Sequence, residues 1–200
     1  DMPVTLDKAI HQPHLENFFD AMRKGTALNC PGEDGFATTV TVLKVNQSSN
    51  FTVENSDLHG ADDNALDFVA VDSAVIRGNR IHDANDWCAY AKGGSSHILV
   101  ASNEIFDCGT GGFTAGQGTG LEFMVAPHLT YEAEDVTVQG NNIHDTEGAG
   151  LGVNGGLNVT MSGNTLTRVG SRSHVIEVGF GARGCDGNRS ACASLLAQSA

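Results

Sequence analysis

Asp63 and Asp86 stand at the same position of two successive sequence units, with Asp62 and Asn85 immediately before them. Carboxylates on neighbouring strands, roughly 4.8 Å apart, repel each other, and each ionises less readily unless a cation lies between them. Calcium accepts such irregular oxygen sets, and Asp83 is a possible further ligand. A screened surface pair without metal is the alternative. Six residues after Asp86 comes Lys92, in a chain with 11 Lys and Arg in total, on a strand face rich in glycine and small residues. It is either a solvated lysine or a basic group presented to a substrate. A further column holds His59, His82, Phe106 and His144, the last three followed by Asp83, Asp107 and Asp145. Imidazole beside carboxylate can relay protons. Aspartate in a turn can equally accept backbone N–H groups.

These positions are defined by a repeat. Ser56, Asn79, Asn103, Asn141 and Asn164 share one phase, at spacings of 23, 24, 38 and 23 residues. Five residues earlier lie Phe51, Ala74, Ile98, Val136 and Val159, and three earlier Val53, Ile76, Val100, Val138 and Met161. Two later lie Leu58, Ile81, Ile105, Ile143 and Leu166. Offsets of equal parity place side chains on one face of a strand. A second short strand follows in each unit, with Leu66 and Phe68, Ala89 and Ala91, Phe113 and Ala115, Leu151 and Val153, then, slipped by two, Ile176 and Val178. The outward residues between them are Asp67, Tyr90, Thr114 and Gly152, with Glu177 in the slipped unit.

A unit of this length buries its apolar face only by stacking on its neighbours. No leucine-rich consensus is present, and Val, Ile and Thr strands between Gly, Asn, Asp and Ser turns favour a parallel β-helix. A turn-rich sandwich would not keep five apolar columns in phase. The reading is an all-β, right-handed parallel β-helix of about five to six coils over residues 40–180, in which buried asparagine amides bond to the adjacent coil.

Residues 1–39 lack the repeat. Leu15, Phe18, Phe19 and Met22 have helical spacing, which predicts a short capping segment over the first coil. Residues 117–133 are an insertion after a second strand, holding Gln117, Glu122, Phe123, Met124, His128, Tyr131 and Glu132; it is a surface flap or part of a binding surface. Residues 181–200 form a tail. Cys185 and Cys192 within it close a short loop and suggest a local disulfide, while Cys30 is the cysteine most readily left over. Cys88 and Cys108 lie on neighbouring units at different offsets, which leaves a bridge between them open.

A formal charge of −13 argues against nucleic acid or an anionic membrane surface as partner. No apolar run approaches the length of a membrane span, and none heads the chain. Sequons at Asn46, Asn50, Asn158 and Asn188 are consistent with a secretory route, and Asn-rich turns also generate such triplets by chance. No His-Glu-x-x-His, Cys-x-x-Cys, Walker or Gly-x-Ser-x-Gly pattern occurs, and Gly116–Gly120 lacks the helix a phosphate loop needs. With no evident apolar lid at the C-terminal end, the chain is either part of a longer protein or closes by association through open coil ends.

The segment Ala91-Lys92-Gly93-Gly94-Ser95-Ser96, followed by Ile98 to Ile105, resembles the lysine-bearing segment of pectate-lyase-like right-handed β-helix proteins, most closely polysaccharide lyases of the chondroitinase B and alginate lyase type. The resemblance spans roughly residues 40–180. It implies that Lys92 is a base in β-elimination on a uronate polymer, assisted by calcium. One coil later Gly112 to Gln117 lacks the family's arginine, and its glutamates before the lysine are absent; Asp63 and Asp86 would replace them. His128 or Tyr131 would return the proton, and Tyr90, Gln117 and Asn154 would hold the sugar. The expected partner is a polysaccharide or glycan, and the expected location secreted or at the cell surface. A non-catalytic glycan-binding β-helix is one alternative. Glycoside hydrolysis by Asp67 and Glu177 is another, although they lie in the first and last units.

Overall fold

The computed structural model describes residues 43–120, 123–124, 130–180 and 193. The chain divides into two compact units, Asp1–Thr39 and Val40–Ala200, and every described residue belongs to the second. The expected cap over residues 1–39, His128, and the expected Cys185–Cys192 pair lie outside the described residues.

Sixteen strands follow one another: β1 (Leu43–Asn46), β2 (Ser49–Glu54), β3 (Asp57–Ala61), β4 (Leu66–Val69), β5 (Asp72–Arg77), β6 (Arg80–Ala84), β7 (Trp87–Lys92), β8 (Ser95–Ala101), β9 (Glu104–Cys108), β10 (Gly111–Ala115), β11 (Ala133–Gln139), β12 (Asn142–Thr146), β13 (Ala149–Asn154), β14 (Gly156–Ser162), β15 (Thr165–Val169) and β16 (Ile176–Gly179). Each strand pairs with the third one along. The result is three parallel sheets, β1-β4-β7-β10-β13-β16, β2-β5-β8-β11-β14 and β3-β6-β9-β12-β15. The fold is a parallel β-solenoid of about five turns. Equal repeat phases are direct register partners, as in Phe51 with Ala74 and Leu58 with Ile81.

The repeat implies two or more short strands per unit, and the structure has three, because the residues after each asparagine form a strand of their own. That short strand bends at its fourth position, where Asp83, Asp107 and Asp145 have φ of 55°, 51° and 54° and Gly60 has 74°. Aspartate tolerates this left-handed conformation better than branched residues do. The three aspartates are therefore explained by backbone shape, and they lie on strands rather than in free turns.

Inside the shell the inward columns fuse into one core that includes Val53, Ile76, Val100 and Val138, Leu58, Ile81, Ile105 and Ile143, and Leu66, Phe68, Phe113 and Leu151. Each such Leu, Ile or Phe contributes roughly 1.5–3 kcal/mol by leaving water. At the turn between two sheets runs the asparagine column. Asn79, Asn103, Asn141 and Asn164 each send Nδ2 to a carbonyl of the coil before, at Val53, Ile76, Val100 and Val138 (2.9–3.0 Å). Each Oδ1 accepts the backbone N–H of the preceding member of the column, from Ser56 through Asn141 (2.9–3.0 Å). Nδ2 also donates to the next Oδ1 along the run. The amides thus satisfy buried backbone groups that the turn leaves out of the sheets. Among the described residues Ser56 is the first member of the column, and its hydroxyl donates to Glu54 O of its own coil at 3.0 Å. Between coils, Cys88 and Cys108 form a disulfide with Cα atoms 5.4 Å apart, and both are buried.

Candidate functional site

The outer face of the six-stranded sheet carries one column in continuous register: Lys44, Asp67, Tyr90, Thr114, Gly152 and Glu177. Alternation along each strand puts Val69, Lys92 and Asn154 two residues further on the same face. Glycines recur here because Trp87 lies on them. A methyl at Gly111 would stand 2.4 Å from the indole, and one at Gly152 would stand 2.8 Å from it. Trp87, Tyr90, Val69 and Ala149 form a small apolar cluster on this outer side, separate from the core.

Lys92 ends β7, just before the left-handed Gly93 and Gly94. Its Nζ donates to Gln117 Oε1 at 2.9 Å and sits 4.2 Å from the Tyr90 ring centroid. An ammonium suits both partners, the amide oxygen as acceptor and the ring face as a cation–π surface. Asn154 Nδ2 donates to Thr114 Oγ1 at 3.3 Å. Lys92, Gln117 and Asn154 are each partly accessible, so together they form a polar strip across β7, β10 and β13. Gln117 is held by the base of the insertion, where the fully buried Glu132 accepts from Thr119 N (3.1 Å), Thr119 Oγ1 (2.5 Å) and Gly93 N (3.3 Å).

Toward the first coil the same face becomes acidic. Asp63 and Asp86 are on adjacent rungs, joined by Asp86 N donating to Asp63 O at 3.1 Å. Burial first, then the Asp67 carboxylate and the charges of Asp63 and Asp86, push the Tyr90 phenol well above its ordinary value. Asp67 Oδ2 meets Lys44 Nζ at 3.2 Å, and Asn64 Nδ2 lies 3.5 Å from the Tyr90 hydroxyl. The remaining oxygens, Asn64 Oδ1 and Asp67 Oδ1, are buried and make no hydrogen bond to protein. Leaving a buried acceptor unpaired costs about 1–3 kcal/mol, so each of the two calls for a partner. Sequence reasoning missed Asn64 and treated Asp67 as a hydrolytic carboxylate. The available signal for Asp67 was that it shares the outward face with Lys92.

Other expected groups are placed differently. Tyr90 is 3% exposed and Trp87 equally buried, so neither offers a free ring for a sugar to stack on. Tyr131 lines a cavity with Val153, Gly155, Val178 and Phe180, on strands two to three removed from Lys92. Asp67 and Glu177 are separated along their column by Tyr90, Thr114 and Gly152, which excludes the spacing of roughly 5–9.5 Å used by paired glycosidase carboxylates.

The histidine column forms a continuous ring stack. His59, His82, Phe106 and His144 have successive centroids 4.8, 4.4 and 4.9 Å apart and planes within 12° of parallel. His82 Nε2 is 2.9 Å from Asp57 Oδ1, and His144 Nδ1 is 2.7 Å from Asp145 Oδ2. Ligand atoms of Asp57, His59 and His82 lie within 4.8 Å of one another. The imidazole planes, however, are parallel, so their in-plane lone pairs run side by side instead of converging on one ion. Arg80 also occupies Asp57, at 3.0 Å. The stack reads as structural.

Among the described residues no helix is long and apolar enough to cross a membrane. No curated protein and no solved structure matches the chain. A family model described as the right handed beta helix region matches residues 38–186, which include every strand of the solenoid and the whole outward strip. By that match and by its three parallel sheets, the chain belongs to the right-handed β-helix family.

Proposed function

We propose that the outer face of the six-stranded sheet binds a uronate-containing polysaccharide in a calcium-dependent manner. The observation that carries this reading is the pair of buried, unpartnered oxygens, Asn64 Oδ1 and Asp67 Oδ1, one strand from the Lys92 ammonium. Oxygen donors with two carboxylates close by, Asp63 and Asp86, fit a hard cation. Asn64, Asp67, Asp63 and Asp86 would hold calcium, which when bound neutralises carboxylate charge. Lys92 would pair with a uronate carboxylate, while Gln117 and Asn154 would bond to hydroxyls along the chain. A net charge of −13 repels a polyanion at long range, so a bridging cation is what makes an acidic glycan a reasonable ligand.

A second reading, β-elimination with Lys92 as base, is favoured by its placement beside that oxygen set. Removing the proton next to the uronate carboxylate would require Lys92 to leave Gln117 and lose its own proton first. Support for a secreted or surface location comes from the buried Cys88–Cys108 disulfide, since such bonds persist in oxidising compartments.

The test is to incubate the protein with pectate, alginate and chondroitin, with calcium and then with chelator, following binding and the ultraviolet absorbance of unsaturated products together. Calcium-dependent binding lost in Lys92→Ala and in Asp67→Ala supports the proposal. Absorbance lost in Lys92→Ala adds elimination to it. Reducing ends without absorbance, or no binding to any polymer, refutes it.

A further inference from the structure

The geometry points to the C-terminal end of the coil stack as a self-association surface, where two copies of this chain meet end to end about a two-fold axis. This does not depend on the glycan reading. Among the described residues the three sheets end in β14, β15 and β16, with no further strand paired to their outer backbone edges. Natural edges are blunted by charge or proline. The first-coil edges follow that rule, with Lys44 on β1, Glu54 on β2 and Asp57 on β3. By contrast β14, with the sequence GLNVTMS, carries neither charge nor proline.

The apolar groups at this end are also unmatched. Ile176 and Val178, register partners of the core residue Leu151 and of the half-buried Val153, are 49% and 76% exposed, and Phe180 is wholly exposed. Phe180 stands at the wall of a hollow of about 690 Å³ that it lines together with Tyr131, Val153, Gly155, Gly156 and Val178. Projection and hollow therefore sit side by side on one surface. A two-fold axis sets each Phe180 over the other copy's hollow, which is the self-complementarity an isologous interface requires. The same axis reverses strand direction, so facing edges meet as antiparallel pairs.

Charge does not oppose the meeting of two like ends. Arg168 and Arg172 of the last coil are already paired with Asp145 and Glu147 of the coil before, and Glu177 is the one acid on the three terminal strands. Two such faces approach with little net repulsion despite the acidity of the whole chain. A coil end is smaller than the roughly 800 Å² per partner of a standard interface, so the dimer should dissociate on dilution.

Sedimentation velocity of the full chain across the micromolar range tests this, beside Val178→Lys and Phe180→Asp. Both residues are largely or wholly exposed, so neither substitution removes a core contact, and circular dichroism checks that each variant folds. The expected result is a reversible monomer–dimer equilibrium whose dissociation constant rises at least about tenfold in either variant, a change of about 1.4 kcal/mol. Three results overturn the inference. A monomer at every concentration would mean that residues 181–200, or nothing, cover this end. Growth beyond the dimer would mean head-to-tail stacking, and a dimer unaffected by both changes would place the contact elsewhere.

Discussion

Replacing Asn103 by alanine removes the middle rung of the amide column, and the structure gives the size of the effect. Asn103 Nδ2 satisfies Ile76 O at 3.0 Å, and its Oδ1 accepts Asn79 N at 3.0 Å. Both backbone groups lose that partner inside the shell. Asn79 Nδ2 keeps Val53 O, and Asn141 Oδ1 keeps Asn103 N, so the damage stays at two groups. At about 1–3 kcal/mol each, the loss is roughly 2–6 kcal/mol, a large part of a domain's usual margin of about 5–15. The assay is equilibrium urea unfolding followed by circular dichroism, with Asn142→Ala as control. Asn142 is its exposed neighbour, and its substitution should change stability by no more than about 0.5 kcal/mol. Equal effects for the two variants would show that the column does not carry the buried backbone, and the reasoning would fail.

Gly111→Ala should lift Trp87 from its seat, because the new methyl meets both the indole at 2.4 Å and Ala149 O at 2.5 Å. The expected cost is about 1–3 kcal/mol, with red-shifted emission from the single tryptophan; unchanged emission would contradict it. Removing the Cys88–Cys108 bridge, with a sequence separation of 20, should lower stability by roughly 3 kcal/mol, measured by unfolding Cys88→Ala/Cys108→Ala against the oxidised protein. The pH dependence centres on His97, which lies 2.7 Å from Asp72 and 3.6 Å from Asp135. The Asp72 hydrogen bond raises the imidazole, while His97 and then Ser96 lower the carboxyl. The imidazole contribution is therefore complete below its unfolded pKa and is lost as pH rises through the folded one. The carboxyl contribution is present above the unfolded Asp pKa and is lost as pH falls through the depressed one. Both groups are well exposed, so solvent screening keeps the effect small. An NMR titration should find His97 above the ordinary histidine range and returning to it in Asp72→Asn.

The stacking register was legible because apolar residues at equal offsets cannot be buried unless successive units lie side by side, and Asn79, Asn103, Asn141 and Asn164 shared that phase. The third strand was harder to see. Its bend falls at Asp83, Asp107 and Asp145, whose residue type signals a turn as readily as a left-handed bend within a strand. At the site, the outward direction of Lys92 followed from alternation, and so did its nearness to Asp67 and Tyr90. Burial did not follow. Tyr90 looks like a sugar-binding ring in sequence, yet Lys92 covers its face, and glycines at 111 and 152 let Trp87 pack onto the same sheet beside it. Those contacts depend on side-chain direction across two coils, which spacing along the chain does not encode. Asn64 escaped notice because nothing in its neighbourhood reveals that its carbonyl oxygen lacks a partner.

The most direct test of the central claim is to titrate isotopically labelled protein with a trisaccharide of galacturonate in the presence of calcium and map the shifted backbone amides. Binding across the outward strip predicts that Tyr90, Lys92, Thr114, Gln117 and Asn154 move together, along with Asn64 and Asp67, and that chelator reverses the change. Shifts confined to the His59–His144 stack or to the β14–β16 end, or none at all, would contradict it.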